Sequence, residues 1–160
     1  MRSLTLALLL FLTSVLAVIA RPYNFMLSDK NLSSSLVNSI YQDRDGMIWI
    51  STENGLNRFD GTKVTIYKHE EGNENSLAHN FVRYMFEDAE GHFFVGNYMG
   101  LQFYRRDTDD FSPLGSFADG TLMRASPSYI TQTPKGDIFV SGNQVCQVTI
   151  GDDRPLFITP

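Results

Sequence analysis

The side chains able to do chemistry in this sequence of 160 residues are few and scattered. His69, His79 and His92 share no metal-ligand spacing, and no Cys pair or acidic cluster of the right kind accompanies them. Two of them fall in expected loops and one beside a turn, so solvent exposure is expected for all three. Asp43-x-Asp45-Gly46 opens like a calcium loop, but the other ligand positions and the distal Glu are missing. Asp88-x-Glu90-Gly91 repeats the pattern, which identifies it as a turn. Ser51 and Ser141 stand outside any Gly-x-Ser-x-Gly elbow. Cys146 is the single cysteine, so no internal disulfide forms, and Val145-Cys146-Gln147-Val148 makes it a small buried apolar residue. The acidic runs Asp107-Thr108-Asp109-Asp110 and His69-Glu70-Glu71-Gly72-Asn73-Glu74-Asn75 read as solvated connections. Trp49 and exposed Tyr residues have flat apolar faces suited to a pyranose, but Trp49 lies in a run of buried type, so core packing is expected of it. The expected set of catalytic, cofactor-binding and metal-binding residues is therefore none, ligand-binding residues are unassigned, and no kinase signature is present.

What must position these residues is a repeat. At an offset of 45, Asp45-Gly46 falls on Glu90-Gly91 and then on Lys135-Gly136. Ile48-Trp49-Ile50-Ser51 falls on Phe93-Phe94-Val95-Gly96 and on Ile138-Phe139-Val140-Ser141. Gly55-Leu56 falls on Gly100-Leu101, and with one residue missing in the third copy Val145 matches Leu101. A period of about 40–50 residues marks a propeller or solenoid. The apolar runs are short, rich in Ile, Val, Phe, Tyr and Trp, and broken by Asp-Gly, Glu-Gly, Asn-Gly and Lys-Gly, which reads as strands and hairpins. The expected strands are 38–42, 47–51, 56–59 and 64–67; then 82–86, 92–95, 101–104 and a weak 111–114; then 129–133, 137–140, 145–149 and 156–158. Four antiparallel strands per repeat make one propeller blade. The second strand of each repeat is apolar at successive positions, as expected where both faces of a sheet are packed. Gly46, Gly91 and Gly136 are expected to supply the positive φ of the hairpins.

The formal charge is −5, with Lys+Arg 13 against Asp+Glu 18. That balance argues against a nucleic-acid surface or a polybasic membrane patch. Arg2, the apolar run Leu4 to Ile19 and the small-residue ending Val18-Ile19-Ala20 form an export signal. Cleavage after Ala20 is favoured over an uncleaved anchor, for which the run is short. Asn31-Leu32-Ser33 fits the glycosylation triplet at chance level. The division expected is a signal peptide at 1–20, a lead-in strand and loop at 21–35, and a partial propeller at 36–160 with blades near 36–80, 81–125 and 126–160. The fold class is all-β, about three four-stranded antiparallel blades of an incomplete β-propeller preceded by a signal helix. Such a piece leaves blade faces open, so the mature chain expressed alone is expected to aggregate or stay partly unfolded.

The stretch Asp43-Arg44-Asp45-Gly46-Met47-Ile48-Trp49-Ile50-Ser51-Thr52-Glu53-Asn54-Gly55-Leu56-Asn57-Arg58-Phe59-Asp60-Gly61 resembles the repeat of the two-component regulator propeller family. Ser51 stands where that family usually has Gly; Phe94 replaces the Trp of the second copy, and the third copy loses the Asn-Gly-Leu glycine. Phe25 to Ser33 resembles the lead-in of such propellers, with Asn31 in a Gly place. The resemblance implies an exported, periplasmic sensor region of a hybrid two-component histidine kinase in Gram-negative gut-type bacteria, responding to oligosaccharides. It implies as partners the remaining blades and signalling domains of a longer parent, a homodimeric parent, membrane contact only through the signal, and no nucleic acid. The chain itself would be non-catalytic and without cofactor. A fragment of a propeller enzyme acting on polysaccharide, or a truncated product with no function of its own, stays open beside it.

Overall fold

The computed structural model describes residues 32–117, 119–122 and 126–150, and the backbone of the strand Pro155–Ile158. The export signal, the expected strand near Tyr23 and Asn31 lie outside the described residues.

Thirteen strands follow one another, and among the described residues no helix interrupts them. The first sheet orders β1 (Val37–Gln42), β2 (Ile48–Thr52), β3 (Gly55–Phe59) and β4 (Val64–Tyr67) side by side, each antiparallel to the next. The second does the same with β5 (Val82–Glu87), β6 (Phe93–Asn97), β7 (Gly100–Arg105) and β8 (Asp110–Phe111). The third holds β10 (Tyr129–Gln132), β11 (Ile138–Ser141), β12 (Val145–Ile150) and β13 (Pro155–Ile158), and then β9 (Ser116–Phe117) on its outer edge. These are three successive propeller blades recurring with the sequence repeat.

The fifth strand corrects the expectation of four strands per blade, and β8 is shorter than the 111–114 expected. Pro113 has no N–H to extend a ladder, so β8 stops after two residues. The chain then crosses over, with the Gly115 N–H on the Leu101 carbonyl at 2.9 Å. Ser116 and Phe117 pair in parallel with Leu156 and Phe157, covering an edge that would otherwise be bare.

The hairpin glycines behave as their spacing demands. Gly46, Gly91 and Gly136 take φ of 82°, 100° and 96°. At Gly91 a Cβ would also displace the Arg44 guanidinium of the preceding blade.

Alternation along β6 divides the core in two. Phe93 and Val95 pack toward the first blade with Trp49, Leu56, Leu77, Val82, Met85, Tyr104 and Phe111. Phe94 points the other way and joins Leu101, Ile130, Ile138, Val140, Cys146 and Val148. Consecutive apolar residues in one strand therefore serve two interfaces, and β6 is buried at every position. Cys146 is fully buried, as expected.

Trp49 is fully buried, between Phe93 (centroids 4.7 Å apart) and the edge of Tyr104 (4.8 Å). Its indole N–H donates to Asp43 Oδ2 at 2.8 Å, while Asp43 Oδ1 accepts from the Asp45 and Met47 backbones. In the second blade Phe94 has no such donor. There Asp88 Oδ1 accepts from the Gly91 and His92 backbones, and His92, the repeat partner of Met47, places Nδ1 2.7 Å from Asp88 Oδ2. In the third blade Thr133 takes the place of the carboxylate, its Oγ1 accepting the Asp137 N–H at 3.2 Å, and Phe139 stands in the Trp place. Charge and donor change together from blade to blade, because a buried carboxylate needs a partner.

The blades are also tied by polar links at the same end. Arg44 reaches Glu87 at 2.8 Å and donates to the carbonyls of Asp88, Ala89 and Glu90. Its backbone N–H donates to Glu87 Oε2, and one blade on the Ala89 N–H donates to Gln132 Oε1. Arg106 joins Asp45, Glu87 and the Gly91 carbonyl.

Candidate ligand-binding face

Four places could do more than hold the fold. The first is the turn end of the second blade, where ligand atoms of Asp88, Glu90 and His92 lie within 4.8 Å of one another. The spacing around His92 is not that of a metal-ligand cluster, but the turn bends Asp88 and Glu90 back onto it. Asp88 is buried and its oxygens are already taken by two backbone N–H groups and the imidazole. Since an ionised carboxylate only accepts, Nδ1 of His92 donates. The trio works as a turn clamp.

The second is the Asp107–Asp110 run, read from sequence as solvated. The structure makes it a joint between blades. Asp109, at φ 56°, accepts from Arg58 (2.8 Å) and Tyr67 (2.6 Å) of the first blade and from Tyr104 (2.5 Å) of its own. Arg58 also donates to Tyr104 and lies over the rings of Trp49, Tyr67 and Tyr104 at 5.5–5.7 Å. Asp110 is bidentate with Arg105. Burial pushes the Asp109 carboxyl up, but the bonds from Tyr104, Tyr67 and Arg58 outweigh it and hold it below the ordinary 3.8. Burial pushes the Tyr104 phenol up to about 12, and Tyr67 higher than its usual 10.

A depressed carboxyl stabilises the fold above its unfolded value and loses that contribution as pH falls through the folded one. Asp109→Asn tolerates the left-handed backbone but lowers stability at pH 7 by about 1 kcal/mol, discounted because Asp109 is half exposed. The gap to the parent closes as the pH falls below about 4. Urea midpoints of the full-length protein at several pH values check this; a gap independent of pH contradicts it.

The third is a cleft of about 360 Å³ on the outer rim, between the connection His69–Ala78 and Pro113, Leu114 and Leu122. His69 Nδ1 sits 2.8 Å from the Leu77 carbonyl and so donates to it. The polar groups that shape this connection are spent internally: Ser76 Oγ accepts from the Glu70 backbone, and Gln102 holds Ser76 and Ala78.

The fourth lies at the opposite end of the blades from the Asp-Gly turns. There the connection into β5 meets the β6–β7 hairpin, with the Tyr98 N–H on the Phe81 carbonyl at 3.0 Å. His79, Phe81, Arg83 and Tyr98 line a mainly apolar cleft of about 380 Å³. Tyr98 is 63% exposed and lies 5.3 Å from the His79 ring. His79 Nδ1 accepts the Phe81 N–H at 2.9 Å, which leaves its hydrogen on Nε2. His79 thus braces an aromatic wall with Tyr98.

The repeat isolates this cleft as something the fold does not require. The same positions in the first blade are Ser34, Leu36, Asn38 and Glu53, with no aromatic ring among them. Glu53 makes the same backbone bond as Tyr98, donating to Leu36, so the hairpin needs no Tyr. Sequence reasoning noted exposed Tyr residues as sugar platforms but assigned none. Comparing repeat positions for side chains the fold leaves unused is the signal that finds Tyr98. Trp49, the other platform weighed, is core.

The two component regulator propeller model matches residues 31–54. Histidine kinase P4 of Formosa agariphila is 40% identical over 47 residues, 29% of this chain and 3% of that protein. The crystal structure of the extracellular domain of a hybrid two component system from B. thetaiotaomicron matches with a TM-score of 0.69 at 25% identity, covering 82% of this chain and 19% of that one. Virginiamycin B lyase from Staphylococcus aureus matches with a TM-score of 0.54 at 17% identity, covering 76% of this chain and 40% of that one, and shows the fold alone. The chain is a β-propeller segment carrying a two component regulator repeat, similar to the extracellular domains of two-component sensor systems. It spans a small part of these relatives' length.

Proposed function

We propose that this chain is a non-catalytic recognition segment of an exported, periplasmic sensor region, and that it responds to oligosaccharides. The observation that carries the reading is the cleft of His79, Phe81, Arg83 and Tyr98, an exposed aromatic wall at the hairpin end of a sensor-type propeller. An aromatic face buries the apolar face of a pyranose, and the polar rim orients its hydroxyls. The remaining blades and the signalling domains of a hybrid histidine kinase parent, working as a homodimer, turn occupancy into phosphorylation. The resemblance to sensor domains and the absence of convergent acids at the cleft favour this over a polysaccharide-cleaving enzyme.

Calorimetric titration of the full-length protein with a panel of neutral and acidic oligosaccharides tests it. At least one is expected to bind, and Tyr98→Ala should weaken it about tenfold, the loss expected for removing one stacking ring. No binding across the panel, or binding indifferent to Tyr98, overturns it.

A further inference from the structure

Arg83 gives the cleft a chemical preference. It lies at a break in register of β5, where Val82 pairs with Asn97 and Tyr84 with Gly96, so Arg83 itself faces no partner residue across the ladder. A bulge re-aims the side chain that it carries. The first blade has the same irregularity between Val37 and Ser39, and there Asn38 uses it structurally, donating from Nδ2 to the Val82 carbonyl at 2.8 Å. Arg83 inherits the position without the task. It is exposed and, among the described residues, its side chain makes no hydrogen bond, ion pair or ring stack.

This contrasts with its neighbours. Arg44, Arg58, Arg105 and Arg106 are all paired with carboxylates. In a chain of net charge −5, an unpaired guanidinium beside an exposed Tyr and an imidazole Nε2–H is poised for an anion brought in from outside. Arg offers a planar fork that matches carboxylate or sulfate oxygens, and Tyr98 offers the ring face.

We infer that the cleft takes an acidic sugar, a pyranose bearing a carboxylate or a sulfate, with the anionic group on Arg83 and the sugar face on Tyr98. This rests on the oligosaccharide reading above and narrows it.

The experiment compares three probes on the full-length protein: a neutral oligosaccharide, a uronate oligosaccharide and a sulfated one, each titrated at low and at high salt. One of the acidic probes is expected to bind at least tenfold more tightly than the neutral one and to weaken as salt rises. Which of the two binds distinguishes carboxylate from sulfate. Arg83→Gln should remove that preference, and Arg83→Lys should restore part of it. Thermal unfolding should be unchanged in both, because Arg83 holds no structural bond. Equal binding of neutral and acidic probes, or an acidic preference that survives Arg83→Gln, overturns the inference and leaves the oligosaccharide reading standing. Failure of every probe overturns both.

Discussion

Trp49→Phe is expected to destabilise the fold by about 3 kcal/mol, and adding Met47→His to recover about half of it. The loss has two parts. The shorter ring gives up apolar area in a fully buried site, and Asp43 Oδ2 loses the indole N–H at 2.8 Å. Asp43 is itself buried, and its remaining neighbour, Arg106 Nη2, stands at 3.6 Å, too far to replace a hydrogen bond. Trp49→Ala should cost about 5 kcal/mol, since it also opens a cavity against Phe93, Tyr67 and Tyr104. The second blade shows the rescue already made: Phe94 stands in the Trp place and His92 supplies the donor to Asp88 at 2.7 Å. Met47 occupies the repeat position of His92 and packs against the same cluster, so an imidazole there meets Asp43. Denaturant unfolding of the full-length protein followed by tryptophan-independent circular dichroism measures all three variants. If Met47→His fails to improve Trp49→Phe, the exchange of donors between blades is coincidence.

That exchange shows what one-dimensional reading could and could not see. The apolar runs at 48–50 and 93–95 announce strands packed on both faces, and Gly46, Gly91 and Gly136 announce the hairpins, because both demands recur at fixed spacing. The blades were legible for that reason. The fifth strand of the third sheet was not, since Ser116 and Phe117 pair with residues about forty positions away in a register that no local pattern encodes. Asp43 and Asp88 looked like turn residues and are; their burial comes from side chains that fold back from the next strand.

The candidate cleft was hidden for a different reason. His79, Phe81, Arg83 and Tyr98 carry no motif and lie up to two strands apart in sequence. What marks them is a departure from the repeat at positions where the first blade has Ser34, Leu36, Asn38 and Glu53, none of them aromatic or basic. Asp109 is solvent-exposed, as its acidic run suggests, but its role as a joint was hidden because its three donors come from two blades. Local sequence gives the acid and not the company it keeps.

A loss of comparable size is expected at a residue that looked ordinary. Gln102 is buried, and all four of its amide hydrogen-bonding positions are used. Oε1 accepts from the Ala78 backbone at 2.8 Å and from Asn97 Nδ2 at 2.9 Å; Nε2 donates to the carbonyls of Ser76 at 3.0 Å and Ser112 at 2.7 Å. The first blade has Asn57 in the same register place, and it too accepts from the incoming chain, taking the Ser33 N–H at 2.8 Å. A buried amide at this position thus pins the segment that enters each of these two blades. The third blade puts Cys146 there, opposite Val140. Gln102→Leu keeps the volume and leaves two carbonyls and two N–H groups without partners, at about 1–3 kcal/mol each before relaxation. Water from the neighbouring rim cleft, which Gln102 also lines, restores some of them, so about 4 kcal/mol is the expected cost. A purely apolar role would predict little loss from an isosteric Leu. Hydrogen exchange separates the two: amides of Ser76 and Ala78 should lose protection well before the β-strand amides do. Unchanged protection of that segment, with stability within about 1 kcal/mol of the parent, would mean that the amide only fills space.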